Sequence, residues 1–324
     1  MDTTAIARAR RAFLGMSHSP LLGLNPIGDP DRLALEAATG AARAAVHAFA
    51  PELVVLLGPD HYNGFFNALM PPFCLGTEVR AVGDYLSPAG ALNVHSELAL
   101  ALASHLMDSH IDIALSRRME VDHGFAQALQ VLWGDDLART PPVLPIFLNA
   151  VAPPGIARLA RCREVGQAIG RFLDTLPQRT LLIGSGGLSH EPPVPTLDHP
   201  DPAVRERITV GRHPTEAEKD AKTERVKAAG MALARGEAWM KPLNPQWDLQ
   251  WMQAMASGDL AGLCRHSEAS IEAQAGRSAH ESKTWLVARA ALPQHAGLPC
   301  PVNAYRAVPE LIAGYGVMFM HTDD

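Results

Sequence analysis

Over the first two-thirds of the chain, short apolar runs alternate with longer stretches of helical periodicity. The runs at 13–16, 53–57, 111–115, 143–148 and 180–183 are four to six residues long, a length that suits strands buried on both faces. Between them, 31–50, 97–109, 125–133 and 157–176 place apolar residues near a 3.6-residue spacing, and Pro51 closes the first of these. Alternation of this kind predicts an α/β fold, with a sheet layered between helices. After Pro195 the pattern changes. Residues 198–222 are charged and broken by prolines, and are expected to form a long surface loop. Helical patterns follow at 219–236, 247–256 and 280–291, giving a helical C-terminal third, and 314–320 returns a last strand. No linker rich in Pro, Gly or Ser divides the chain, so residues 1–324 are expected to form a single domain behind a loose N-terminal tail, 1–11.

Composition narrows the function. Of 324 residues, 47% are apolar and 19% charged, enough for a sizeable core and too few charges for a disordered chain. A net charge of −6 argues against a protein that covers nucleic-acid phosphates. Cys74, Cys162, Cys264 and Cys300 stand far apart with no CxxC pair, a pattern that suits a reducing cytoplasm. No apolar run approaches the roughly 18 residues of a membrane span. The apolar stretch after Arg8, Arg10 and Arg11 is too short for a signal-peptide core.

The 14 histidines change the picture more. His18 follows the run 13–16, His61 follows 53–57 through Gly-Pro-Asp, and His190 follows 180–183 through Gly-Ser-Gly-Gly-Leu-Ser. Each lies just past the carboxyl end of a predicted strand, where open α/β sheets bind their ligands. His123 occupies a similar polar turn, Val-Asp-His-Gly-Phe. A single loop histidine is usually a hydrogen-bonded turn residue; four in one setting point to a shared pocket. Asp60, Asp122, Ser17 and Ser189 each precede one of the four, either as turn residues or as groups that orient an imidazole.

Several converging imidazoles suggest a metal. Two His and one carboxylate suit a non-haem Fe(II) oxygenase, whereas three His, or His with carboxylates, suit a zinc hydrolase. Glu281 in His-Glu-Ser-Lys-Thr-Trp is the carboxylate candidate, although on pattern alone it is better explained as a first-turn glutamate facing a helix dipole. HExxH and Walker motifs are absent. Ile183 occupies the glycine position of a nucleophile elbow at Ser185, and Ser189 breaks a dinucleotide fingerprint starting at Gly184.

Longer blocks carry a resemblance. Leu-Gly-Met-Ser-His-Ser-Pro (14–20), Gly-Pro-Asp-His-Tyr-Asn-Gly-Phe-Phe (58–66), Met-Pro-Pro-Phe-Cys (70–74), Val-Asp-His-Gly-Phe-Ala-Gln (121–127) and Gly-Ser-Gly-Gly-Leu-Ser-His-Glu-Pro-Pro (184–193) are followed by Pro-Leu-Asn-Pro-Gln-Trp-Asp (242–248), His-Glu-Ser-Lys-Thr-Trp (280–285) and Ile-Ala-Gly-Tyr-Gly (312–316). In this order they resemble the class III (LigB-type) extradiol dioxygenases. The resemblance implies a three-layer α/β/α fold with a central mixed sheet, and Fe(II)-dependent cleavage of a catechol by O2 beside its two hydroxyls. It implies His18, His61 and Glu281 as iron ligands, His190 as proton acceptor and His123 as proton donor. It further implies a homo-oligomer, a tetramer or larger, acting in the cytoplasm without nucleic acid or membrane.

A propionate or acrylate side chain on the catechol would need a cationic or amide partner, and Arg117, Arg118, Arg277 and Lys283 are the candidates. Two other readings compete. A zinc hydrolase would use the same pocket, and a non-catalytic subunit would be expected to lack one of the five site residues, all of which are present.

Overall fold

The computed structural model describes residues 10–211, 214–237 and 239–322. Its strands are β1 (Arg11–Met16), β2 (Leu53–Gly58), β3 (Phe73–Gly76), β4 (Val79–Val82), β5 (Ala89–Ala91), β6 (Ala114–Ser116), β7 (Met119–Val121), β8 (Val143–Leu148), β9 (Thr180–Ser185), β10 (Val302–Val308) and β11 (Ala313–His321). The α-helices are α1 (Asp29–Phe49), α2 (Ser96–Asp108), α3 (His123–Trp133), α4 (Leu159–Leu173), α5 (Pro202–Val210), α6 (Glu216–Ala234), α7 (Pro245–Ser257), α8 (Leu260–Leu263), α9 (Glu268–Ala275) and α10 (Lys283–Ala290).

Eight strands form a mixed sheet in the order β10-β11-β1-β9-β2-β8-β3-β6, and β5-β4-β7 form a small second sheet. The centre of the large sheet, β1-β9-β2-β8, is parallel; β11 joins β1 and β3 joins β8 antiparallel. Side chains of one strand alternate between two apolar layers. Leu53, Val55 and Leu57 face the layer that holds Leu102 of α2, Ile169 of α4, Trp251 of α7 and Trp285 of α10. Val54 and Leu56 face the layer that holds Val46 of α1 and Leu129 of α3. Burial on both sides explains the unbroken apolar runs, since a strand between two helical layers has no solvent face to mark with polar residues. Each fully buried Leu or Val contributes about 1.5–3 kcal/mol.

Helix α10 approaches the sheet closely. A Cβ at Gly184 would lie 2.6 Å from the Trp285 Cα, so only glycine lets the helix sit at this depth. The approach brings Glu281, in the 3-10 turn Arg277–Ser282 just before α10, beside the carboxyl ends of β1 and β9.

Several expectations are corrected. The segment 198–222 is largely helical rather than a surface loop. Pro202 takes the first turn of α5 under an Asp201 cap, and Thr215 with Glu218 forms a capping box that starts α6. A proline at the start of a helix initiates it, and charged residues with few buried neighbours leave no periodic apolar signature. The run 111–115 pairs only from Ala114, because Ile111 closes the C-terminus of α2 through its N–H on Leu106 O. Helix α3 begins at His123, not 125, and α10 begins after Glu281, which therefore does not sit in its first turn. The last strand is one arm of a hairpin, β10-β11. Of the expected tail, residues 1–9 lie outside the described residues; Arg11 is buried in β1 and its guanidinium donates to Ala291 O and Asp174 Oδ1. Among the described residues, no helix is long and apolar enough to cross a membrane.

Candidate active site

The parallel strands β1, β9 and β2 are neighbours in the sheet, so their carboxyl ends open on the same side. His18, His190 and His61 follow those ends, and His123 enters from the start of α3. Glu281 meets three of them. Its Oε2 lies 3.3 Å from His18 Nε2, and its Oε1 lies 3.1 Å from both His61 Nε2 and His190 Nε2. The His61 and His123 rings stack with centroids 4.7 Å apart, and the His18 and His123 centroids are 5.3 Å apart. All five side chains line one cavity of about 940 Å³. The structure thus assembles every predicted site residue from segments far apart in sequence.

Surrounding groups fix each ring. His18 Nδ1 lies 3.0 Å from Ser185 Oγ. The His61 backbone N–H donates to Asp122 Oδ2 at 2.7 Å, and His61 Nδ1 lies 3.0 Å from the same oxygen. His123 uses a different carboxylate: its backbone N–H donates to Asp84 Oδ1 at 2.8 Å, and its Nδ1 lies 2.6 Å from Asp84 Oδ2. His190 Nδ1 lies 3.0 Å from the Leu188 carbonyl. Each Nδ1 is therefore occupied, and each Nε2 is left to the cavity side.

The residues ahead of the histidines have divided roles. Asp122 orients His61 rather than its own neighbour, and its Oδ1 also caps α3 at Gly124 N–H. Asp60 accepts from the N–H groups of Asn63, Gly64 and Phe65, which makes it a turn residue. Ser17 bonds β11 through Gly314 O and Gly316 N–H. Ser189 donates from both N–H and Oγ to the buried Asp248, which also accepts from the Tyr305 hydroxyl at 2.6 Å.

The electrostatics separate the rings. Burial dominates at His18 and pushes its pKa down to about 3, which favours the neutral ring. The same burial acts on His61, but Asp122 and then Glu281 outweigh it and hold His61 well above its ordinary range. At His190, Glu281 likewise overcomes burial and raises the ring. Burial alone would raise Glu281, yet His190 and His18 hold it well below the usual carboxylate range, so it stays ionised.

This donor set fits a metal ion. His18 Nε2 is buried and, although close to Glu281, makes no hydrogen bond; His123 Nε2 is likewise buried without one. The ligand atoms of His18, His61 and His123 lie within 4.8 Å of one another. Two neutral-capable imidazoles held at Nδ1, beside an ionised carboxylate, are suited to a divalent cation with open positions. Glycine makes room for that carboxylate: Gly186 has φ +153°, and a Cβ there would lie 2.7 Å from the Glu281 Cβ, while Gly187 N–H donates to Glu281 Oε2 at 3.0 Å.

Residues 12–317 match the family model described as the catalytic LigB subunit of aromatic ring-opening dioxygenase. The chain belongs to the LigB family. A relative from Comamonas testosteroni is 74% identical over 321 residues, covering 99% of this chain and all of that protein, and is named 2,3-dihydroxyphenylpropionate/2,3-dihydroxicinnamic acid 1,2-dioxygenase. Relatives of the same name from Rhodococcus sp and from Mycobacterium sp. (strain MCS) are each 46% identical, over 94% and 95% of this chain and 96% and 98% of theirs. This LigB-family chain is an enzyme, a ring-opening dioxygenase, and the zinc-hydrolase and non-catalytic readings find no support in these relatives.

Four functional neighbours escaped sequence reasoning. Asp84 and Tyr85, which hold and flank His123, sit in a loop without any apolar run. Gln127 clamps Ser19, accepting from its N–H and donating to its carbonyl, but inside a helix it carried no signal beyond its place at the end of a matched block. Asp248 was visible only as part of a matched block.

Proposed function

We propose that the chain is an Fe(II)-dependent extradiol dioxygenase that opens the ring of 2,3-dihydroxyphenylpropionate, 2,3-dihydroxycinnamate or both. The observation that carries the reading is the convergence of His18, His61 and Glu281 at the carboxyl ends of β1 and β2, with two further histidines within reach. His18, His61 and Glu281 would hold the metal, and Fe(II) there would supply a common site for the catechol oxygens and O2 and a route for electron density between them.

The chain's own residues handle position and protons. His190 takes a proton from a catechol hydroxyl through Nε2, because the Leu188 carbonyl occupies Nδ1. A deprotonated catechol is the better chelator, so this transfer favours productive binding. His123 delivers a proton from Nε2 late in the reaction, when an oxygen–oxygen bond must break, and Asp84 keeps the ring aimed from behind. Burial of the site keeps water from competing at those steps. The product is an open-chain keto-enol acid carrying both oxygen atoms. In this reading residues 1–324 act as one catalytic domain, within a cytoplasmic homo-oligomer of four copies or more; the four free cysteines support the reducing compartment.

The test is metal analysis and oxygen uptake on anaerobically purified protein. Bound iron, and one O2 consumed per 2,3-dihydroxyphenylpropionate with a yellow product, is the expected result. Turnover that follows zinc and needs no oxygen would overturn the proposal.

A further inference from the structure

None of the four cations considered from sequence reaches the cavity. Lys283 is fully buried on the far side of Glu281's turn, donating to Ala157 O at 2.8 Å and paired with Glu268. Arg277 pairs with Glu191 at 2.9 Å, and Arg117 and Arg118 are exposed on the β6–β7 turn. The cavity draws its cations instead from α5, β4 and α6, including Lys219, Lys222 and Arg225.

These are not equivalent. Lys219 is neutralised by Glu216 at 2.7 Å. Lys222 and Arg225, three residues apart on one face of α6, have no carboxylate within 4.0 Å among the described residues. Lys222 Nζ lies 5.9 Å from the Tyr85 ring centroid, and that ring stands edge-on to His123 at 5.2 Å. A cation over an aromatic face is held in place without losing its charge. The side chain of 2,3-dihydroxyphenylpropionate is ortho to a hydroxyl, so with the hydroxyls toward His18, His61 and Glu281 it leaves the ring sideways, along a wall of the cavity. Tyr85, Lys222 and Arg225 line that same cavity.

Resting on the reading above, we propose that Lys222 and Arg225 bind the side-chain carboxylate of the substrate and set the preference for acid-bearing catechols. Lys222 acts at longer range on Asp84, which is engaged with His123, so both cations keep room for a carboxylate in direct contact. Two charge-assisted hydrogen bonds to one carboxylate align the substituent, and the Tyr85 face limits how the ring can rotate. Specificity then arises from the α6 wall, separate from the histidines that handle protons and metal.

The experiment compares wild type, K222A/R225A and K222Q/R225Q on 2,3-dihydroxyphenylpropionate and 3-propylcatechol by oxygen uptake, beside their melting curves. The ratio of kcat/KM for the acid to that for the neutral catechol should fall about 100-fold, mostly through KM, as expected for two charged hydrogen bonds. Calorimetry without O2 gives a readout independent of turnover: 3-phenylpropionate, which has no hydroxyls for a metal, should bind wild type and lose affinity in both variants. An unchanged ratio, an equal loss on both substrates, or a loss carried by R80A or R207A instead would overturn the assignment. Failure of wild type to open either catechol, with 3-phenylpropionate binding still lost in the variants, would sink the ring-cleavage reading and leave the carboxylate site standing.

Discussion

On the floor of the cavity, His18, His190 and Glu281 are buried and His61 is half-buried, and each imidazole Nδ1 and the Glu281 carboxylate meet a polar group of the surrounding fold. On the α6 wall, Lys222 is half-buried, Arg225 is exposed, and neighbouring charges pair with each other along the helix surface. The floor is therefore expected to be intolerant, since removing one partner there leaves another buried group unsatisfied. Changes on the wall should alter what binds while the fold persists. Chemistry sits where strand ends and hydrogen bonds hold atoms in place; selectivity sits where solvent lets a side chain adapt.

The largest effects belong to the floor. His18→Ala, His61→Ala and Glu281→Ala should each lose bound metal and turnover together, as read by metal analysis of the purified variants. A variant with full occupancy would remove that residue from the ligand set. Next, His190→Gln should keep its metal while turnover falls roughly 10²–10⁴-fold. His123→Phe should keep metal and substrate binding but consume oxygen with little ring-opened product. Native-like melting, binding and product yield in His123→Phe would end the proton-donor role. One step further from the metal, Asp122→Asn keeps the size of the side chain but weakens the hold on His61. Metal affinity should drop about 10–100-fold in a competition titration.

The smallest effect should come from the wall. Glu224→Ala removes an exposed partner of Lys227 on α6 and should change stability by about 0.3–0.5 kcal/mol at most in denaturant melts. A loss comparable to that of Asp122→Asn would mean that the wall is as tightly built as the floor.

The same division decided what the sequence revealed. Strands β1, β2, β8 and β9 are apolar on both faces, so their runs stand out, and the histidines just beyond them inherit that visibility. Of the short strands from β3 to β7, β6 alone was touched by an expected run, 111–115, and the others gave no such signal; β5, for instance, is Ala-Gly-Ala at a sheet edge. Helices α5 and α6 bury few residues, Ile208 in the first and Val226 and Gly230 in the second, so α5 left no amphipathic stripe and the pattern at 219–236 did not tell which side of α6 faces the cavity. With 198–222 expected to be loop and 219–236 an unplaced helix, the cations Lys222 and Arg225 were overlooked as pocket residues. Asp84 remained hidden for a related reason: what matters is its contact with His123, 39 positions away, and nothing local records it.

Asp122 precedes one histidine and braces another, and this has a consequence for how such a site can be transplanted or inherited. The segment 58–66 carries His61 but not the carboxylate that holds it, which lies 61 positions downstream. Moved alone into another scaffold, it would deliver an imidazole free to spin. The segment beginning at Met119 moved alone would bring an aspartate with its main partner missing. The transferable unit is the two segments together, and a one-residue insertion between Val121 and His123 would disturb both histidines at once.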